Sequence, residues 1–173
     1  MSERMPARVH GTWSVDPDQS HARFTAATLA GLVKTPGRFR SLSGSLTIGP
    51  AGAAGVLTID AASIDTGNGL RDRHLRSREF FGVAKHPELR YELHGLTPTG
   101  EDRLLLEGQL TITGTRTALP LEAELRVHAD TLIEIRARTE VDRVALGVRG
   151  APGMVPRTVK LDVRVVLRRG EQG

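Results

Sequence analysis

Apolar and polar residues alternate one for one through almost all of this 173-residue chain. A period of two is the mark of strands that bury one face and solvate the other. Leu42, Gly44, Leu46 and Ile48 share one parity against Ser43, Ser45 and Thr47. Leu57, Ile59 and Ala61 oppose Thr58 and Asp60, and Leu89, Tyr91 and Leu93 oppose Arg90, Glu92 and His94. Leu104, Leu106, Gly108, Leu110 and Ile112 form a longer row, as do Leu119, Leu121, Ala123, Leu125 and Val127. Ile133, Ile135 and Ala137 follow, and Val159, Leu161, Val163, Val165 and Leu167 close the chain.

Turn chemistry separates the rows. Gly49-Pro50-Ala51-Gly52, Thr97 to Asp102, Thr113-Gly114-Thr115 and Ala129-Asp130 all suit hairpin connections. Strand after strand with short turns predicts an all-β antiparallel meander, whose exposed edges are removed by closure into a barrel. About eight strands enclose a lumen that just holds side chains or one slim ligand. A two-sheet sandwich with a filled core is the alternative.

Two stretches break the rhythm. Residues 27–33 are apolar without clean alternation and suit a short helix or a bulged strand. Ser63 to Phe81 opens on turn residues, gathers Arg71, Asp72, Arg73, His74, Arg76 and Arg78 around Leu75, and ends on Phe80-Phe81. A short helix over Arg71 to Phe80 is expected there, docked through Leu75 and the Phe pair, as the rim of a cavity. Its arginines admit two readings: a solvated face, or a receiver for an anionic headgroup or acidic membrane surface. Arg71 and His74 flank Leu75 and are the better rim candidates. A further apolar, Gly/Pro-rich loop runs from Val144 to Pro156.

Composition narrows the chemistry. There are no cysteines, which excludes disulfides, thiolate metal sites and a cysteine nucleophile. The formal charge is +4, yet most arginines alternate with apolar residues along strands, as in Ile133-Glu134-Ile135-Arg136-Ala137-Arg138, the pattern of a solvated sheet face. Aromatics are only 3% of residues, too few for a base-stacking platform, so nucleic acid is not expected. The first residues lack the apolar core of a secretory signal, and the expected location is the cytoplasm.

No catalytic or metal motif emerges. The six histidines show no metal-ligand spacing. Ser20 and His21 are neighbours on a strand, so their side chains take opposite faces. Neither a nucleophile elbow nor a phosphate-binding glycine loop is present. No enzyme activity, metal or cofactor is expected.

The ordered blocks of the chain resemble the YceI-like family of lipocalin-like, polyisoprenoid-binding proteins. They are Gly11-Thr12-Trp13-Ser14-Val15-Asp16-Pro17, Ser20-His21, Phe24, Gly37-Arg38-Phe39 and Ser43-Gly44. Ser63-Ile64-Asp65-Thr66-Gly67-Asn68 follows, with Arg71-Asp72, His74-Leu75-Arg76-Ser77 and Phe80-Phe81. Gly108, Leu110-Thr111-Ile112 and Gly114-Thr115 complete them. His86-Pro87 stands where the family usually has Tyr-Pro. Ala27-Thr28 replaces a histidine that many members carry, and the segment after it is a residue longer than the common form.

The resemblance implies an extended eight-stranded antiparallel lipocalin-like barrel over residues 11–168, with a flexible extension at 1–10 and a tail at 169–173. It implies a tunnel for an isoprenoid or fatty chain such as a quinone tail, a polyprenyl phosphate or an amide lipid. It also implies pairing of two copies through barrel faces. The expected tunnel lining is Phe24, Leu29, Leu32, Phe39, Leu46, Ile48, Leu57, Ile59 and Ile64, continued by Leu75, Phe80, Phe81, Tyr91, Leu93, Leu110, Ile112 and Leu121. His21, Arg71 and His74 are its expected rim. Two competing readings stay open: an enzyme acting on a lipid or quinone in the same cavity, and a filled-core stress-response interaction protein.

Overall fold

In the computed structural model, which describes residues 4–28, 33–150 and 156–170, each alternating row becomes a strand. The strands are β1 (Gly11–Val15), β2 (His21–Thr28), β3 (Val33–Phe39), β4 (Leu42–Gly49), β5 (Gly52–Asp60) and β6 (Ile64–Asp65). After the helix α1 (Gly69–Arg76) come β7 (Glu88–Gly100), β8 (Arg103–Ile112), β9 (Thr115–Ala118), β10 (Leu121–Ala129), β11 (Leu132–Asp142) and β12 (Thr158–Arg169).

The strands form one antiparallel sheet that closes on itself where β1 pairs with β12. Four of its long strands are each interrupted once. Residues 16–20 separate β1 from β2, yet both lie along β12, Trp13 opposite Arg169 and Phe24 opposite Leu161. Arg40 and Ser41 separate β3 from β4, and a 3-10 turn, Ala61–Ser63, separates β5 from β6. Leu119-Pro120 separates β9 from β10, both of which pair with β8. Counted through these breaks, eight long strands run up and down in sequence order, as the alternation predicts.

The expected turns close the hairpins. Thr113 and Gly114 take φ of 51° and 78°, the left-handed pair that a two-residue turn between twisted strands requires. The Thr97 to Asp102 turn is shorter than expected, because β7 stays paired through Gly100 opposite Arg103. Ala27 and Thr28 extend β2 and Val33 opens β3, with Thr28 opposite Val33. They are therefore hairpin strands rather than a helix. Leu29 to Leu32 lie outside the described residues.

The interior divides into two apolar clusters. One fills an end of the barrel around Trp13, with Leu46, Ile48, Leu104, Leu125 and Ile133. Met5 and Val9 belong to it, and the Trp13 indole Nε1–H donates to the Val9 carbonyl at 3.0 Å. Residues 5–9 thus plug the barrel, a correction to the expected flexible extension: two apolar side chains and a carbonyl are needed to finish burying Trp13. The other cluster holds Phe39, Leu42, Ile59, Ile64, Phe80, Leu110 and Ile112.

Helix α1 spans Gly69–Arg76, starting two residues before and ending four before the sequence-based expectation. Asn68 sets the start, its Oδ1 accepting the Arg71 N–H at 3.1 Å. Ser77 ends it, leaving helical geometry while its hydroxyl donates to the His74 carbonyl. Among the described residues no helix is long and apolar enough to cross a membrane.

Candidate functional site

A cavity of about 290 Å³ lies within the barrel, beyond the Trp13 plug. Period-two geometry builds it: each strand turns every second side chain inward, and the inward rows are apolar. Leu46, Leu93, Leu121 and Ile135 line it toward the plug. Phe24, Phe39, Leu57, Ile59, Tyr91, Leu110 and Ile112 form its sides. Leu75, Phe80 and Phe81 cover it from outside the long strands, beside Ile64 of β6, with Leu146 and Val148 of the loop after β11. The Phe39 ring meets Phe24 at 5.7 Å and Phe81 edge-on at 5.6 Å. The barrel is therefore not a filled core.

Fourteen of the seventeen nominated lining residues meet at this cavity. Ile48 does not. It pairs with Gly11 at the plugged end and is buried in the Trp13 cluster, two residues beyond Leu46. Leu29 and Leu32 lie outside the described residues. The inward row of β12, absent from the expected lining, borders the cavity along its whole length: Val159, Leu161, Val163, Val165 and Leu167 all line it. Its alternation was legible, but nothing local separates a row that faces a void from one that faces a packed core. Leu146 and Val148 were signalled only by the apolar character of their loop.

The polar groups in the wall are few. Tyr91 lies across Gly108, where a Cβ would come within 2.5 Å of its ring carbon. Its hydroxyl donates to the Leu119 carbonyl at 2.8 Å, and burial pushes its pKa up to about 12. Arg143 is 7% exposed. Its Nε donates to the Pro156 carbonyl at 2.9 Å and its Nη1 to the Val148 carbonyl at 2.8 Å, tying together both sides of the loop that covers the cavity. Burial lowers its pKa.

None of the three nominated rim residues lines the cavity. His21 is on the outward parity of β2, its Nε2 4.0 Å from an Asp162 oxygen. Burial and the nearby Arg23 lower its pKa. Arg71 points back at Thr66, donating to its hydroxyl at 2.8 Å and its carbonyl at 2.9 Å. Asp72 is buried beneath it and accepts from the Thr66 N–H at 2.9 Å. His74 is exposed, meets Glu79 at 2.5 Å and sets its ring edge against Phe80 at 5.0 Å. These residues shape the loop that carries Leu75, Phe80 and Phe81. Parity excludes His21 from the lumen, and the Thr66 contacts turn Arg71 away from it. Among the described residues no three His, Asp or Glu side chains converge as metal ligands.

Comparison with known proteins agrees with this architecture. The chain is 39% identical over 97 residues to a UPF0312 protein of Enterobacter sp. (strain 638), covering 54% of this chain and 50% of that protein. It is 35% identical over 97 residues to Protein YceI of Escherichia coli, with 54% and 50% covered. The matched region thus spans about half the length of these curated relatives. Among solved structures, Burkholderia cenocepacia BcnA superposes with a TM-score of 0.80 at 20% identity, over 88% of this chain and 98% of its own. A polyisoprenoid binding domain from Saccharophagus degradans, implicated in plant cell wall breakdown, superposes with a TM-score of 0.79 at 19% identity, over 91% and 98%. At such identities these two show the fold alone. The profile of the YceI-like domain matches residues 13–167, the whole barrel from Trp13 to the last inward residue of β12, and the chain belongs to that family.

Proposed function

We propose that this protein binds, and carries or sequesters, a long apolar lipid of isoprenoid type in the barrel cavity. The observation that carries the reading is the cavity itself, set within a closed barrel and walled by apolar side chains from every long strand. The polyisoprenoid binding domain of the same fold from Saccharophagus degradans supports the choice of ligand class. The reading is of a binding protein rather than a catalyst. The Tyr91 hydroxyl is held by the Leu119 carbonyl, and burial moves its pKa further from neutral, to about 12.

Magnitudes favour a ligand that gains affinity through its tail. A volume of about 290 Å³ accommodates roughly ten groups of ~30 Å³, the volume per molecule of liquid water. At about 0.8 kcal/mol per buried methylene, such a tail supplies ~8 kcal/mol. Association costs of order 4–15 kcal/mol oppose this. Short chains are therefore weak ligands, and affinity climbs about fourfold with each carbon until the cavity is full.

Native mass spectrometry of the freshly purified protein, with extraction of anything bound, is the direct test. A co-purifying prenyl or long-chain species, and affinity that climbs along a prenol or fatty-amide series, are expected. A chain-length series with no gain in affinity would overturn the reading.

A further inference from the structure

The face of α1 turned away from the barrel is not explained by ligand binding. Leu70 is 77% exposed, the one large hydrophobic side chain so exposed among the described residues. On a helix its neighbours lie three and four positions on. Those are Arg73 and His74, both exposed. Arg78 and Lys85, in the turns that follow, are exposed as well. Between Gly69 and Lys85 stand five arginines and lysines and only two acids, Asp72 and Glu79. Asp72 is buried against Thr66, and Glu79 meets His74. Arg71 and Arg76 donate to uncharged oxygens of Thr66, Ala62 and Ile64, so those contacts leave their charge uncancelled.

We propose that this face of α1, Leu70 with Arg73, docks on an anionic phospholipid bilayer, drawn there by the positive charge that Arg78 and Lys85 add to the segment. The cations suit lipid phosphates, and a single exposed leucine suits insertion among acyl chains. A protein partner is the poorer fit, because one leucine falls far short of the ~800 Å² that each side of a stable interface buries. Symmetric pairing of two such helices would also set like charges together. The position has a consequence for loading. Leu75, on the inner side of the same helix, lines the cavity, so a docked bilayer lies about one helix diameter, ~10 Å, from it.

Vesicle flotation tests this, with phosphatidylcholine alone compared against phosphatidylcholine mixed with phosphatidylglycerol. Flotation with the anionic vesicles only, lost at high salt, is expected. Leu70→Ser and Arg73→Glu should each weaken it about tenfold. Both positions are exposed, so unchanged melting will show that these variants fold. The Leu70→Trp variant adds an optical readout. The single natural tryptophan, Trp13, is fully buried, and a blue shift on adding anionic vesicles reports insertion at position 70. Absence of flotation, equal flotation with neutral vesicles, or flotation unchanged in a variant that combines Leu70→Ser with Arg73→Glu would each overturn the proposal. So would self-association that Leu70→Ser abolishes, since that assigns the face to a second copy. A protein that takes up prenyl chains yet never floats keeps the cavity reading and loses this one; one that floats yet takes up no lipid does the reverse.

Discussion

Glu134 shows how one residue departs from its pattern. Alternation places it on the solvent side of β11, and it does point outward, yet it is only 5% exposed. Arg164 of β12 bonds one of its oxygens, and His128 of β10 lies 2.9 Å from the other. Burial pushes its carboxyl pKa up, but these partners outweigh that and hold it below the ordinary value. A folded-state pKa below the unfolded one stabilises the fold above the unfolded pKa, and that contribution fades as pH falls through the folded one. Glu134→Ala should therefore cost about 2 kcal/mol at neutral pH. Urea melts of both proteins across the acid range check this, and the difference should shrink below pH ~4.

At the scale of the element, α1 is the most conditional part of the fold. Eight residues are too few for a helix to hold by itself. It depends on the Asn68 cap, on the Asp72–Thr66 contact and on Leu75 seated at the cavity. Asn68→Ala should cost about 1 kcal/mol, which lowers the melting temperature by about 2–4 °C in a chain this long. Amides of α1 should exchange faster than those of β11 and β12, because the helix opens at lower free energy than the barrel. Equal protection in α1 and in those strands would mean that the helix does not open apart from the barrel.

The whole molecule joins a packed end to a hollow one, and the two should respond differently to substitution. Trp13→Ala empties the packed end and should cost ~3–5 kcal/mol with the cavity lining intact. Leu110→Trp, at an inward position of β8 on the cavity, should cost only about 1–3 kcal/mol yet abolish lipid uptake. Calorimetry with and without a long-chain ligand separates them. The ligand should raise the melting temperature of the Trp13 variant and leave that of the Leu110 variant in place. Normal uptake by a folded Leu110→Trp protein would move the site out of this cavity.

The sequence by itself determined which side chains of each strand face inward. The Cβ direction alternates along any strand, so parity is a local property. Turn residues placed the hairpins for the same reason, as Thr113-Gly114 shows. The ordered blocks around Trp13, Ser63 to Asn68 and Phe80-Phe81 also located the family and the loop that covers the cavity. Only the tertiary structure decided where the inward rows meet a void. Leu46 and Ile48 share a strand and a parity, yet Leu46 borders the cavity while Ile48 is packed at the plug. That difference arises from Met5 and Val9 folding back under Trp13. Arg71 stands beside Leu75 in the chain, yet its contacts with Thr66 turn it away from the cavity, which only the folded loop decides. A void is a property of the space left when all the strands close together, and no stretch of chain carries that information alone.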